Sequence, residues 1–345
     1  MLGSGEPLSG KLGDARLRAL PKAHLHLHLE HSIRPATLAE FAARNGVTLE
    51  GFYTFTNLPE FLGRGSVLRA CITFPDDLRR ICWELVEDAV QDGVFYLEPM
   101  VILHRWVPRF GSLEEVFHLI REAFDEAQAT FGVEVGLLLG FSRHRDSPEL
   151  AEHLARFAVA HRNDGIVAFG FAGDEARVGP WPFAPACLLA QQAGLLVVPH
   201  AGETMGAESV AAVIHAVSPA RIAHGVRAAE DPEVLALLKE RGITCDLCPT
   251  SNLRLGVVPH IEAHPVNQLL QAGIPVTLNT DDPLEFGVTV SSEYQLIRDT
   301  FLLSDASMAQ IATTSVLASG ASPATKSRLF ERIQQWVANE SHEQI

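Results

Sequence analysis

Short apolar runs alternate along this chain with segments in which apolar residues recur every three or four positions. The runs have the length and composition of buried β-strands, and segments such as 113–124 and 232–239 have the spacing of amphipathic helices. This alternation predicts an α/β fold, a parallel (β/α)8 TIM barrel, with a doubly wound open sheet as the alternative. The predicted strands cover residues 23–29, 94–101, 133–141, 166–171, 195–200, 221–224, 243–248 and 275–279.

Two parts of the chain fall outside this alternation. About sixty residues separate the first strand from the second, too many for one crossover helix, so we expect an inserted helical or lid segment. Its apolar cluster either caps the barrel mouth as a lid or forms a satellite core under a long loop. The cluster consists of Phe52, Phe55, Leu58, Phe61 and Leu62. Residues 307–317 and 323–337 predict extra C-terminal helices, and one domain over residues 1–345 is the simplest organisation.

The first predicted strand alternates histidine with leucine. Residues i and i+2 of a strand point to the same face, so we expect His24, His26 and His28 to share one face. At least two imidazoles would then lie side by side near the carboxyl end of the strand, where a metal site could begin. The alternative is an imidazole row on a solvated edge strand.

Charge and hydropathy limit the kinds of partner. Lys and Arg number 27 against 42 Asp and Glu, a formal charge of −15 over 345 residues, which makes nucleic acid an unexpected partner. No apolar run approaches the roughly 20 residues that span a bilayer, and residues 1–14 lack the apolar region of a signal peptide. We expect a cytoplasmic enzyme with a small-molecule substrate and no membrane partner. The oligomeric state stays open.

Cysteine usage agrees with a reducing compartment. Five cysteines scattered through a long chain are not a disulfide framework. Cys245 and Cys248 form a C-x-x-C, but they lie in a predicted strand, where residues i and i+3 face opposite sides. We therefore do not expect this pair to bind a metal or to act as a redox couple.

Polar residues collect at the carboxyl ends of four predicted strands. Barrel enzymes build their sites at this end from several strands, so these side chains should meet at one mouth. Three imidazoles and a carboxylate suit Zn²⁺, or less distinctively Fe²⁺, Co²⁺ or Mn²⁺. With no lysine between Lys22 and Lys239 to supply a bridging carboxylated ligand, we expect one metal per subunit. The strand-end residues are His26, His28, Glu30, His200, Glu203, His224, Asp281 and Asp282.

Taken together and in order, the motifs around these residues resemble those of the adenosine deaminase family, the purine branch of the amidohydrolase superfamily. The resemblance runs through nearly the whole chain. The motifs are PKA followed by Pro35 at 21–35, EDAVQDGV at 87–94, GDE at 173–175, HAGE at 200–203, RIAHG at 221–225, CPTSN at 248–252 and NTDDPL at 279–284.

The resemblance implies a role for each site residue. Glu203 would act as general acid on purine N1 as the attacking oxygen adds to C6, and His224, helped by Asp281, would orient the water. Asp282 and the backbone of Gly173 would hold N7 and N3, and Glu30 would reach towards the ribose. The implied Zn²⁺ ligands are His26, His28, His200 and Asp281.

Simpler structural roles exist for some of these residues. Glu203 could be a carboxylate at a helix N-terminus, where the helix dipole favours it. Gly173 could be only a turn glycine, and Ser251 with Asn252 are more typical of a turn and cap than of substrate ligands.

Two departures from the family pattern concern the substrate. His24 stands where an acidic residue is usual, and His31 stands where glycine is usual, next to Glu30 near the sugar pocket. We expect adenosine or deoxyadenosine, with a modified 6-aminopurine such as 6-aminodeoxyfutalosine, or free adenine, as alternatives. A metal-dependent amide or ester hydrolase and an inactive binding protein are further alternatives. The H-x-E and P-C-x-x-C class of zinc deaminase is not expected, because Pro249 follows the C-x-x-C instead of preceding it.

Overall fold

The computed structural model describes residues 13–55 and 57–343, so most of the N-terminal stretch considered above lies outside the described residues. Its strands are β1 (Lys22–His24), β2 (Val94–Leu97), β3 (Met100–Val101), β4 (Glu134–Val135), β5 (Leu137–Ser142), β6 (Ile166–Ala172), β7 (Leu196–Val197), β8 (His200–Ala201), β9 (Arg221–His224), β10 (Thr244–Leu247) and β11 (Val276–Leu278).

The α-helices follow the strands in the expected alternation. They are α1 (Ala15–Ala19), α2 (Pro35–Asn45), α3 (Leu58–Leu62), α4 (Arg64–Cys71), α5 (Pro75–Gln91), α6 (Val107–Phe110), α7 (Leu113–Phe131), α8 (Pro148–Ala160), α9 (Ala184–Gln192), α10 (Ala207–Val217), α11 (Pro232–Arg241), α12 (Pro249–Arg254), α13 (Val266–Ala272), α14 (Pro283–Phe286), α15 (Val290–Phe301), α16 (Asp305–Ala318) and α17 (Pro323–Glu343). The two C-terminal helices confirm that part of the prediction.

Parallel pairing carries the strands around a ring. The ladders run β1–β2–β4, β3–β5–β6–β7 and β8–β9–β10–β11, and isolated parallel bridges join His28 to Met100 and Leu27 to Asp281. The second of these bridges connects the chain after β11 to the chain after β1. The predicted (β/α)8 fold is therefore confirmed, with several predicted strands divided into two short segments.

Strand β1 is shorter than predicted, and its ending changes where the histidines point. The side-chain Oδ1 of Asn279 accepts the backbone N–H groups of Leu25 and His26 at 2.8 and 3.1 Å, so a side chain replaces the regular ladder there. The ring of His24 instead bonds Thr280, with Nε2 3.0 Å from its Oγ1. The expectation that His24 shares a face with His26 and His28 is therefore wrong, because the strand geometry does not continue past His24.

A buried ion network lies inside the ring. Arg221, 1% exposed, bonds Oδ2 of Asp246 at 2.8 Å and also bonds Glu98. The other oxygen of Asp246 accepts from Thr277 Oγ1 at 2.8 Å, and Thr277 Oγ1 accepts from Asn279 Nδ2 at 2.8 Å. Each charge thus has a partner, as a buried charge requires, and the network ends on the residue that holds β1.

The inserted segment places its apolar cluster at the mouth of the ring. Phe55, Leu58 and Phe61 pack with Leu255 and Phe286 as a hydrophobic cluster separate from the main core, which Phe52 joins instead. The rings of Phe61 and Phe286 stack with centroids 5.5 Å apart. The cluster is therefore a satellite core, and Leu58, Phe61 and Leu62 also line the cavity above the histidines.

Two further expectations from the sequence concern disulfides and membrane-spanning helices. All five cysteines are buried and free. Among the described residues, no helix combines the length and the apolar character that crossing a membrane requires.

We expect the free energy of unfolding to depend on pH because of Glu293, which lies on α15. It accepts the N–H of Thr250 at 2.9 Å and also bonds the Thr250 hydroxyl, which ties α12 to α15. Burial raises its pKa from 4.5 to about 7, against the hydrogen bonds from Thr250 that lower it. Between pH 4.5 and about 7 the folded protein therefore keeps a proton on Glu293 that the unfolded chain releases. The resulting stabilisation of the folded state is complete below pH 4.5. It amounts to about 3 kcal/mol and is lost as the pH rises through 7.

We therefore expect Glu293→Gln to gain Tm relative to the wild type as the pH is raised from about 5 to about 8, measured by calorimetry. Glu240→Gln, on an exposed position of α11, serves as the control and should track the wild type. A difference between Glu293→Gln and wild type that does not change with pH would contradict the assignment.

Candidate functional site

A cavity of about 750 Å³, including its open mouth, lies at the carboxyl ends of the strands. Of the nine residues predicted for the site, eight line it, and His26 lies beneath the others. The eight are His28, Glu30, Gly173, His200, Glu203, His224, Asp281 and Asp282.

The buried imidazoles of His26 and His200 face each other through their Nε2 atoms. Nδ1 of His26 lies 3.2 Å from the carbonyl of Asp246, and Nδ1 of His200 lies 3.0 Å from the carbonyl of Phe171. Carbonyls only accept, so both Nδ1 atoms carry a proton, and in the neutral form of the two rings both Nε2 atoms are lone pairs. These two Nε2 atoms are 3.1 Å apart. Two lone pairs at this distance repel each other, and a cation bound between them removes that repulsion. The donor set of His26 and His200 therefore fits a metal.

A carboxylate completes this donor set. Oδ1 of Asp281 is 3.2 Å from Nε2 of His26 and 3.4 Å from Nε2 of His28. Its Oδ2 accepts a hydrogen bond from Ser251 Oγ at 2.7 Å. Burial alone would raise the pKa of Asp281, but the neighbouring His26 and His28 hold it well below its usual value. Asp281 thus presents Oδ1 to His26 and His28, and Oδ2 to Ser251 and His224.

His224 also lies close enough to be a ligand by distance alone. Ligand atoms of His26, His200, His224 and Asp281 all lie within 4.8 Å of one another, whereas His28 groups with Asp281 and Asp282. By distance alone, either His28 or His224 could be the third imidazole ligand of a metal. The position of the proton on the ring of His224 distinguishes the two.

A chain of hydrogen bonds fixes the tautomer of His224. The backbone N–H of Val266 donates to His264 Nδ1 at 3.3 Å, so Nε2 of His264 carries the proton and donates to Asn252 Oδ1 at 3.2 Å. The amide of Asn252 then directs its Nδ2 donor to His224 Nδ1 at 3.4 Å. Burial lowers the pKa of His264 to about 4, and burial with the neighbouring His26 lowers that of His224 to about 3, so both are neutral. His224 therefore presents Nε2–H to the cavity and has no lone pair there for a metal.

Backbone strain accompanies this placement. His224 and Asp281 have φ values of +66° and +62° although neither is glycine. Such left-handed residues are uncommon and cluster at functional sites. The conformation turns both side chains at their strand ends towards the same space.

Glu203 lies in the loop between β8 and α10. The helix begins at Ala207 with Gly206 as its N-cap, so Glu203 is not the helix-terminal carboxylate considered above. Oε2 of Glu203 lies 3.7 Å from Nε2 of His224. Burial, with the negative charges of Asp281 and Glu175, raises the pKa of Glu203 well above its usual value. A carboxyl group that stays protonated can donate a proton.

Glu175 positions this loop, a role that sequence reasoning missed. Its carboxylate accepts the backbone N–H groups of residues 202–205 at 2.5–2.9 Å and the hydroxyl of Ser209 at 2.6 Å. The available signal was the GDE motif, in which Glu175 follows Gly173 after the fourth strand of the ring. Ser251 and Asn252 were also assigned wrongly as a turn and cap, since they lie inside α12 and contact Asp281 and His224.

The remaining predicted residues line the upper cavity. Gly173 has φ +96°, and a Cβ there would lie 2.4 Å from Nδ1 of His144, so the position excludes a side chain. Oδ1 of Asp282 is buried and has no hydrogen-bond partner in the part of the chain that the structure describes, and burial with the charge of Asp281 raises the pKa of Asp282 well above its usual value. His31 does not project freely into the cavity, because its Nδ1 bonds Glu285 at 2.7 Å.

Comparison with known proteins gives consistent results. A sequence model of the family described as adenosine deaminase matches residues 21–336. A protein of Streptomyces virginiae named putative adenosine/adenine deaminase is 38% identical, covering 93% of this chain and 98% of that protein. An aminodeoxyfutalosine deaminase of Acidothermus cellulolyticus is 36% identical, covering 81% of this chain and 83% of that protein. A solved amidohydrolase of Burkholderia ambifaria with bound Zn has a TM-score of 0.85 and 26% identity, covering 98% of this chain and 100% of its own.

The hydrogen-bond chain to His224 can be tested directly by ¹⁵N NMR of histidine-labelled protein. In the wild type we expect the protonated-nitrogen shift at Nε2 of His224 and the lone-pair shift at Nδ1. Asn252→Asp replaces the amide donor with an acceptor, so the proton should move to Nδ1 and the two shifts should exchange. Asn163→Asp, on an exposed loop, is the control. Unchanged His224 shifts in Asn252→Asp would show that Asn252 does not fix the tautomer.

Proposed function

Because this chain belongs to the adenosine deaminase family, whose members hydrolyse the exocyclic C–N bond of 6-aminopurines, we propose that it deaminates a 6-aminopurine nucleoside, with adenosine or deoxyadenosine first. One observation carries the proposal: Nε2 of His224 lies 3.7 Å from the buried carboxyl group of Glu203, whose pKa burial raises well above its usual value, and 3.9 Å from Oδ2 of Asp281. A proton donor, a hydrogen-bond donor for water and a proton acceptor are the groups that this hydrolysis needs.

We further propose one Zn²⁺ held by His26, His28, His200 and Asp281. The facing lone pairs of His26 and His200 support the metal, and the tautomer of His224 supports His28 as the third imidazole. When bound, zinc lowers the pKa of a coordinated water towards neutrality. The related Burkholderia structure with bound Zn agrees with this choice of metal.

The side chains of the site then carry the protons through the reaction. His224 Nε2–H holds the water oxygen and Asp281 Oδ2, 3.9 Å from that nitrogen, accepts the proton that water releases. Glu203 protonates N1 as the oxygen adds to C6. The proton on Asp281 passes to the amino group, the C6–N bond breaks with its electron pair on nitrogen, and ammonia leaves. The hydroxyl proton returns to Glu203, and the 6-oxopurine keeps its N1 proton.

Three further residues orient the purine. A protonated Asp282, whose Oδ1 lies 3.6 Å from Nδ1 of His31 and has no hydrogen-bond partner among the described residues, can donate to the acceptor N7. The backbone N–H of Gly173 can donate to N3, which requires the close approach that a side chain would block. Glu30 lines the same cavity and can accept from a ribose hydroxyl.

Glu203→Gln tests the acid. Zinc-loaded wild type should release ammonia from adenosine or deoxyadenosine, with the ultraviolet shift of purine deamination. The variant should keep its metal and lose kcat by about 10²–10⁴-fold, because the amide cannot protonate N1. Glu208→Gln, an exposed glutamate in the first turn of α10, is the matched control and should act like wild type. Near-normal turnover by Glu203→Gln rules out its role, and a wild type inactive on adenosine, deoxyadenosine, adenine and 6-aminodeoxyfutalosine rules out deamination.

His28→Ala and His224→Ala separate the ligand from the water-orienting residue. We expect His28→Ala to lose at least tenfold in zinc affinity, because it removes a ligand. His224→Ala should retain close to one zinc per chain after dialysis, measured by elemental analysis, while its turnover falls. The opposite pattern of metal retention would assign the third imidazole to His224.

A further inference from the structure

Three arginines line the wall of the site cavity and take no part in the proposed reaction. Arg69 lies on α4, Arg105 follows β3, and Arg145 follows β5. They come from separate elements that converge on one side of the cavity. We call Arg69, Arg105 and Arg145 the arginine wall.

The arginine wall has few partners within the protein. Nη1 of Arg69 is buried and has no hydrogen-bond partner among the described residues. It reaches over Gly65, where a Cβ would lie 3.2 Å from it and 3.9 Å from Nε2 of His31. Nη1 of Arg105 lies 4.0 Å from Glu30, and Arg145 bonds the ring of His144 through Nε at 3.2 Å.

The positive charges are not balanced locally. Glu30 is the acidic side chain nearest to Arg105 in the cavity wall, and Asp174 and Asp146 lie near His144 and Arg105. Asp146 is already paired with His104 at 3.2 Å. Burial, followed by the charge of Arg105, lowers the pKa of Arg69; the carboxylate of Glu30 raises it, and the charge of Arg145 lowers it further. Arg69 and Arg105 are partly buried and Arg145 is exposed, so an anionic ligand would contribute most at Arg69, whose buried Nη1 has no hydrogen-bond partner among the described residues.

The chemistry of a purine brings its N9 substituent to this wall. N3 and N9 are both bonded to C4, so a substituent on N9 leaves from the same edge of the ring as N3. N3 is assigned to the N–H of Gly173, and Gly173 is in contact with His144, which neighbours Arg145. The opposite edge of the ring is taken by Glu203 and the metal site. The substituent therefore extends past Glu30 towards the arginine wall.

We propose that the N9 substituent of the substrate carries an anionic oxygen group, a phosphate or a carboxylate, and that Arg69, Arg105 and Arg145 bind it. This inference rests on the proposed deamination. Guanidinium forks match the geometry of both oxyanions. A neutral ribose would need only hydroxyl partners such as Glu30, and would leave three cations facing the cavity.

Substrate comparison tests the inference. We expect kcat/KM for AMP or for adenosine 5′-carboxylate to exceed that for adenosine by at least tenfold, and the better of the two identifies the phosphate or the carboxylate. That advantage should shrink as salt is raised from about 0.02 to about 0.5 M, because screening weakens charge attraction. If adenosine is the best substrate and salt has no effect on the comparison, the inference falls while the proposed function stands.

Variants locate the charge recognition in the wall. Arg69→Gln and Arg145→Gln should each reduce the ratio of kcat/KM for the anionic substrate to kcat/KM for adenosine by at least tenfold, and Arg145→Lys should restore part of it. The ratio is taken within one protein, so partial misfolding does not affect it. Arg156→Gln, an arginine on the exposed face of α8, is the matched control and should leave the ratio unchanged. A ratio that the wall variants do not alter would overturn the assignment.

Binding gives a readout that does not depend on turnover. Calorimetry of zinc-loaded wild type with inosine, IMP and inosine 5′-carboxylate should show at least tenfold tighter binding of one anionic product, lost in Arg69→Gln. Tighter anion binding without any turnover would support the wall while excluding deamination. Equal binding of all three would overturn the inference.

Discussion

The chain after β1 is held against the chain after β11 by Asn279 and Asp281, and the site depends on this contact. Asn279 binds the backbone of Leu25 and His26, and the backbone of Asp281 exchanges hydrogen bonds with His26 and His28 at 3.1 Å. Asn279 is itself oriented by Thr277, whose partner Asp246 pairs with Arg221. The buried ion network therefore fixes two imidazoles and a carboxylate relative to one another, although these groups are about 250 residues apart in sequence. A gap or an unpaired charge at this level of the barrel would loosen the donor set above it.

Proton placement is the second constraint on the site. Four histidines and three acidic side chains share a small buried volume, and such a cluster is tolerable only if most of its members are neutral or paired. Backbone carbonyls set the protons on His26 and His200, whereas Asn252 sets the proton on His224. Glu175 holds the backbone of the Glu203 loop, so the acid is positioned through its own backbone N–H.

Sequence reasoning predicted what depends on local pattern and on strand ends. The barrel, the terminal helices and the meeting of residues at one mouth followed from periodicity and from the rule that sites lie at the carboxyl ends of parallel strands. The predicted face of His24 was wrong because the side chain of Asn279, which follows β11, ends the ladder, and no pattern within residues 21–30 indicates this. Glu175, Ser251 and Asn252 were missed for a related reason. Each acts on a residue from a distant strand, so only the folded chain shows its partner.

The arginine wall and the proton-transfer groups occupy different parts of the chain. Arg69, Arg105 and Arg145 lie on segments attached to the first three strands of the ring, whereas Glu203, His224 and Asp281 follow the fifth, sixth and eighth. Changes in the loops after β3 and β5 could thus alter which purine derivative is accepted while the bond-breaking machinery stays intact. Because His26 and His28 follow the first strand, as Arg69 does, this separation holds for the loops after β3 and β5 and does not extend to the segment after β1.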